Sequence, residues 1–260
     1  MSVAAKLEGL RQIWYFDNRW QLLLSRLLFR RERLLIYRRG ELEILVDHSA
    51  GDPNGPPQLL TKGMYSDHFS HLSQLGALRV FDLGANTGGF PLLLHHAGFN
   101  LEQLVCVELN PQTCVRLRFN LNRNLRIPAV VVNAAVCDAP RQIKAKLGGG
   151  SVADSIYADS FNSDGADVVV TGRTFDDLYA EHFGDQTVDV CKMDVEKAEY
   201  EIFAAAGHDC LRRCRFAFIE VHDVVGKQPA QIVAAMNGLG FVLLPPGSDP
   251  TVYVFKNQRL

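Results

Sequence analysis

No uninterrupted apolar stretch in these 260 residues reaches the about 20 needed to cross a bilayer; the early run from Leu22 to Phe29 is broken by Arg26. A secretory leader would set a short basic stretch before an unbroken apolar core, whereas Met1 to Leu10 is mixed and carries Lys6 and Glu8. A cytoplasmic location without integral membrane association is therefore expected. Neither sign of charge dominates: 27 Lys and Arg stand against 29 Asp and Glu, a formal net of -2, so no global field draws the chain onto nucleic acid. Cysteine is sparse. Of the six, Cys106 and Cys191 fall in apolar runs and Cys137 lies beside one, where Cys serves as a small buried hydrophobe. Cys210 and Cys214 sit four apart in a helical-looking stretch with no second pair to complete a zinc site, so all six are expected to be reduced and structural. There is no internal repeat. The 47% hydrophobic and 22% charged content that remains suits a globular chain with one large domain and an accessory segment.

Residues 1–75 read as that accessory segment, contributing to acceptor binding or dimerisation. Its first 50 or so residues are rich in Leu, aromatics and Arg, and Arg26, Arg30, Arg31, Arg33, Arg38 and Arg39 crowd a helical pattern that predicts two or three helices. The Arg-rich face suits a solvated surface, a contact in a homo-oligomer, or a surface for an anionic acceptor or membrane headgroup. Gly51 to Pro57 interrupts regular structure and reads as a linker or surface loop. In residues 76–260, β-rich runs alternate with helical stretches: 79–82, 104–108, 129–132, 188–194, 216–220, 241–244 and 251–255. Near-continuous apolar strands separated by helices predict a doubly wound α/β domain with a mostly parallel sheet of seven strands. The last two runs, joined through Pro245 to Pro250, make a hairpin that gives the sheet one antiparallel strand. The stretch 146–175, with Gly148-Gly149-Gly150 and the run 167–171, reads as a loop with a small antiparallel insertion.

The first strand leads into Asp82-Leu83-Gly84-Ala85-Asn86-Thr87-Gly88. A dinucleotide fingerprint needs glycine where this loop has Asn86, which counts against a nicotinamide oxidoreductase. Asp82 sets a carboxylate at the strand end, better matched to an ammonium and a sulfonium than to two phosphates. The ligand so indicated is S-adenosylmethionine. Glu108 ends the second strand, twenty-four residues past Gly84, where a carboxylate accepts both hydrogen bonds of a ribose diol; Asn110 and Pro111 turn the chain. After the third strand, Asn133-Ala134-Ala135 offers a small-residue shelf for adenine, with Asn133 or Asp138 reading its amino group.

Lys192-Met193-Asp194-Val195-Glu196-Lys197-Ala198-Glu199 closes the fourth strand, which neighbours the first at the switch point of such a sheet, so Asp194 faces the sulfonium end of the cofactor. With D-L-G-A-N-T-G, V-E-L-N-P, Thr174 to Leu178 and Ile219-Glu220-Val221-His222, this motif resembles the FkbM family of S-adenosylmethionine-dependent methyltransferases over roughly residues 78–225. The resemblance implies a class I, Rossmann-like methyltransferase fold and O-methylation of a small-molecule acceptor such as a sugar, polyketide or other natural product. Lys197 departs from the family pattern, which has glycine there.

Methyl transfer from a sulfonium is an in-line displacement, so alignment of the acceptor oxygen does most of the work. A positioned base assists an alcohol. Asp194, Glu196 and His222 are the candidate catalytic residues, His222 the first choice. The same three offer two carboxylates and an imidazole to a divalent metal, an arrangement the pattern allows but does not require, and no residue is assigned as a metal ligand. The reading from a different class is a noncatalytic cofactor-binding or scaffold protein.

Overall fold

A computed structural model of the protein describes residues 3–28, 33–147, 166–205 and 208–260. Arg30, Arg31, Gly148 to Gly150 and most of the expected 146–175 loop lie outside the described residues.

The chain begins with α1 (Val3–Tyr15) and α2 (Arg19–Leu28), two helices where two or three were expected across the first 50 or so residues. It then departs from the expected helical pattern. Residues 34–47 form the antiparallel hairpin of β1 (Leu34–Arg39) and β2 (Leu42–Asp47), placing Arg38 and Arg39 on a strand. The reason is visible in β2: Leu42, Ile44 and Val46 are buried at every second position, the two-residue period of a strand, and Gly40 turns the hairpin at φ 55°. Nor is Gly51 to Pro57 a surface linker. Asp52, Pro56 and Pro57 are buried, the last two opening α3 (Pro56–Lys62), and Asp52 receives Arg116 Nε at 2.8 Å and Nη2 at 3.1 Å. This fully buried carboxylate ties the N-terminal segment to the rest of the molecule.

The remaining elements are β3 (Leu78–Leu83), α4 (Gly89–His96), β4 (Leu101–Glu108), α5 (Pro111–Asn124), β5 (Ala129–Asn133), β6 (Ala135–Val136), β7 (Arg141–Leu147), β8 (Ala166–Arg173), α6 (Phe175–His182), β9 (Val188–Met193), α7 (Glu199–Ala204), β10 (Cys214–Glu220), α8 (Pro229–Leu239), β11 (Phe241–Leu243) and β12 (Val252–Asn257). Seven strands form one sheet in the order β11-β12-β10-β9-β3-β4-β5. Only β12 runs against its neighbours, as the proline-rich hairpin predicts. A second small sheet joins β6, β8 and β7, with β7 and β8 antiparallel.

Alternation along the strands sorts the core into two layers. Val80, Leu104, Val190, Phe216 and Phe218 pack with α4, α5 and the N-terminal residues Tyr37, Ile44 and Tyr65. Phe81, Val105, Cys191, Ala217 and Ile219 pack with α6, α7 and α8. The N-terminal segment thus shares one hydrophobic cluster with the sheet. All six cysteines are free thiols; Cys210 lies in a short 3-10 turn and Cys214 opens β10, so the two do not share a helix.

Candidate active site

The central strands β3, β9 and β10 end together. In the parallel pairing, Asp82 lies opposite Lys192 and Lys192 opposite Phe218, so the even positions of all three strands face the N-terminal side. Lys192 is buried, with its Nζ 3.4 Å from Asp82 Oδ1 and 3.2 Å from Asp194 Oδ2, and it donates to the Gly84 carbonyl at 2.7 Å. Burial favours the neutral amine, yet the charges of Asp194, Asp82 and Glu220 outweigh it and raise the Lys192 pKa. The same burial pushes the Asp82 carboxyl up, against the pull of Lys192.

His222, two residues past β10, is the hub of the cluster. Its Nδ1 donates to Glu199 Oε1 at 2.9 Å, and Glu199 is fully buried. That bond directs Nε2 towards Glu196 at 3.4 Å, Asp194 at 3.7 Å and Glu220 at 4.0 Å. Burial works to lower the His222 pKa, but the Glu199 hydrogen bond and the charges of Glu199, Asp194 and Glu196 carry it up to about 9. Desolvation and the Asp194 charge push Glu196 up to about 7 and Glu220 up to about 8. Tyr65, from the N-terminal segment, donates its hydroxyl to Glu220 Oε2 at 3.1 Å.

The structure therefore brings Asp194, Glu196 and His222 together. It adds Glu199, Glu220 and Tyr65, to which the sequence reading gave no role. Glu199 and Glu220 stand inside the quoted motifs, so a signal existed for them. Tyr65 lies 155 residues from Glu220 and had none. One oxygen or nitrogen each from Asp194, Glu220 and His222 lie within 4.8 Å of one another, a spacing that suits a cation.

The glycine loop joins this cluster through its backbone. Gly84 has φ 73°, and a Cβ there would stand 1.6 Å from the Asp194 carbonyl oxygen, so the glycine is needed for the approach of two loops. Gly88, at φ 93°, begins α4 against Leu117 and Leu121. Glu108, nearly buried, accepts from the backbone amides of Asn86 at 2.9 Å and Asn110 at 2.8 Å, fixing the first and second loops to each other. Asn86 stands at φ 49°. The Asn110 side chain caps α5 by accepting from Gln112 N. Asn133 donates to the Glu108 and Leu109 carbonyls, and Ala134 is buried beside it. Asp138 is bound to Arg141 instead. Lys197 takes φ 83°, so the backbone keeps the left-handed turn that glycine adopts without strain.

A parallel sheet in this order, with one reversed strand near its edge and a glycine loop leaving the central strand, is the class I methyltransferase fold, Rossmann-like in architecture. The chain belongs to the FkbM methyltransferase domain family, which matches residues 82–243. Among solved structures it is similar to the methyltransferase FkbM from Methylobacillus flagellatus KT, at 13% identity over 69% of this chain and 43% of that one, with a TM-score of 0.47. It thus spans less than half the length of that protein. It is also similar to magnesium protoporphyrin IX methyltransferase (ChlM) from Synechocystis PCC 6803 with bound SAM, at 12% identity over 77% and 79% of the two chains and a TM-score of 0.43. A third likeness is to Trm5b from Pyrococcus abyssi, at 13% identity over 86% and 54%, with a TM-score of 0.41. No curated protein matches the chain.

Proposed function

We propose that this protein transfers a methyl group from S-adenosylmethionine to a hydroxyl oxygen of a small-molecule acceptor such as a sugar or polyketide, with His222 as the proton acceptor. The observation that carries the reading is the Glu199–His222 pair, which turns a single imidazole nitrogen towards Asp194 and Glu196.

The residues proposed to hold the cofactor are Asp82, Gly84, Asn86 and Gly88 on the first loop, Glu108 and Asn110 on the second, Asn133 and Ala134 after the third strand, and Asp194. Their chemistry fits a cationic nucleoside. Asp194 Oδ1 is buried without a hydrogen-bond donor, and Glu108 sets its carboxylate where the first two loops meet. When bound, the cofactor supplies a methyl group activated by its sulfonium. Lys192, paired with Asp82 and Asp194, already places a fixed cation among the carboxylates, and the proposed reaction needs no divalent metal.

His222 Nε2 takes the hydroxyl proton while Glu199 holds the ring and stabilises the resulting imidazolium. A pKa of about 9 means that the free protein carries His222 protonated at neutral pH, so turnover requires that proton to leave first. His222, Glu196 and Glu220 titrate as one interacting group. A positive ligand bound beside this cluster disfavours the imidazolium and drives its pKa down. With labelled S-adenosylmethionine and a panel of glycosides and polyketides, kcat/KM is expected to rise with pH towards an inflection near 9. His222→Asn should lower kcat by about 10²–10⁴-fold, the contribution of a positioned base, without weakening cofactor binding by calorimetry. Glu199→Gln should move the inflection below 9. An inflection that survives in His222→Asn, displaced upward by the loss of the imidazolium charge, assigns the proton to Glu196 instead. Binding without transfer to any acceptor returns the chain to the scaffold reading.

A further inference from the structure

The N-terminal helices leave an apolar face uncovered. Trp20, Leu24, Leu27 and Leu28 recur at the i, i+4, i+7, i+8 spacing of one side of α2 and are between 53% and 68% exposed, while Leu22 and Ser25 on the other side are buried. Leu10 and Trp14, four apart on α1, are 47% and 52% exposed, with Ile13 and Phe16 buried beneath them. The two stripes are continuous: the rings of Trp14 and Trp20 meet edge to face at 5.3 Å between centroids, and the Arg19 guanidinium lies over Trp14 at 5.5 Å. Single exposed apolar side chains are ordinary, but a joined stripe of six large ones on a single face marks a contact surface.

Charge selects the partner. Residues 1–39 carry nine Lys and Arg against three Asp and Glu, a net of +6 in a chain whose total is -2, which leaves -8 on the other residues. We propose that the α1–α2 face docks onto an anionic lipid surface, with its Leu and Trp side chains entering the headgroup boundary and the net positive charge of residues 1–39 drawing the segment to acidic headgroups. An apolar stripe with two tryptophans at its junction, in a segment of net positive charge, is what such an interface rewards. A second copy of this chain is disfavoured, because a two-fold contact through this face would set one +6 segment against another. A nucleic acid would gain nothing from a row of leucines. The inference is independent of the methyl transfer proposed above.

Both tryptophans of the chain lie on this face, so it carries its own reporter. The test mixes the full chain with vesicles of phosphatidylcholine alone and of phosphatidylcholine with an equal part of phosphatidylglycerol. With the mixed vesicles the tryptophan emission should shift to the blue and the protein should co-float. With phosphatidylcholine alone it should do neither. Raising the salt to about 0.5 M, where the Debye length contracts to about 4 Å, should weaken binding by about tenfold or more. The double substitution Leu24→Ser with Leu27→Ser, at two exposed positions, should cost about tenfold or more in vesicle affinity with Tm unchanged. The proposal is overturned by an unshifted spectrum with mixed vesicles, by equal binding to both compositions, or by a dimer in sedimentation velocity that the double substitution splits while vesicles go unbound.

Discussion

At the scale of single residues, Lys197 separates backbone geometry from side-chain identity. The turn after β9 runs through left-handed conformations at Glu196 (φ 50°) and Lys197 (φ 83°), and it delivers Glu196 to His222 and Glu199 to the start of α7. A side chain in that region costs about 1–2 kcal/mol relative to glycine, part of it offset by the entropy glycine loses on folding. Lys197→Gly is therefore expected to stabilise the protein by about 1 kcal/mol, read as a higher urea midpoint at unchanged slope. A lower midpoint would show that the Lys197 side chain holds the turn by contacts of its own. From the sequence, Lys197 stood out as a departure from a pattern; its conformation, which keeps the pattern's geometry, lies in φ and is not written in the residue type.

Elements come together at this site through close backbone approach. Gly84 illustrates the difference between a motif and its cause. A glycine in such a loop suggests room for a ligand, whereas the first obstacle to a side chain here is the Asp194 carbonyl oxygen, 1.6 Å from where a Cβ would stand. Gly84→Ala should accordingly destabilise the folded chain without any ligand, by about 3 kcal/mol at the upper end of overpacking costs, measured by denaturant titration. An alanine variant of wild-type stability that merely binds cofactor less well would assign the glycine to ligand space instead. The strands were legible because each of β3, β4, β9 and β10 is a nearly continuous apolar run. The β1–β2 hairpin was not, because Leu34-Leu35-Ile36-Tyr37 is followed directly by two arginines and lies in a stretch whose Leu and Arg content also suits a helix.

Across the whole molecule, the excess of acid at the ends of β3, β9 and β10 ties stability to pH. His222 has its pKa raised above 6.5, so its contribution is complete below that value and is lost as pH rises through about 9. Glu196 and Glu220 have theirs raised to about 7 and about 8, so the folded state keeps protons that the unfolded chain has already released, and stability again declines as pH rises from 4.5. All three slopes have the same sign. Tm should fall from about pH 7 to pH 9, above the range in which His48, held down to about 4 by burial, contributes the opposite slope, and Glu220→Gln should flatten the fall by removing one carboxylate from the cluster. A Tm that climbs between about pH 7 and pH 9 in calorimetric scans would contradict the burial and pairing that raise these groups.

The sequence alone determined the alternation of strands and helices, the reversed last strand, the glycine loop and the acid that follows the second strand, because these depend on local period and on short-range backbone limits. Tertiary structure alone decided that Tyr65, Glu199 and Glu220 meet His222, and that Lys192 lies between Asp82 and Asp194. Which strand ends adjoin is set by the order in which distant segments pack, and no local pattern encodes an encounter between residues 65 and 220.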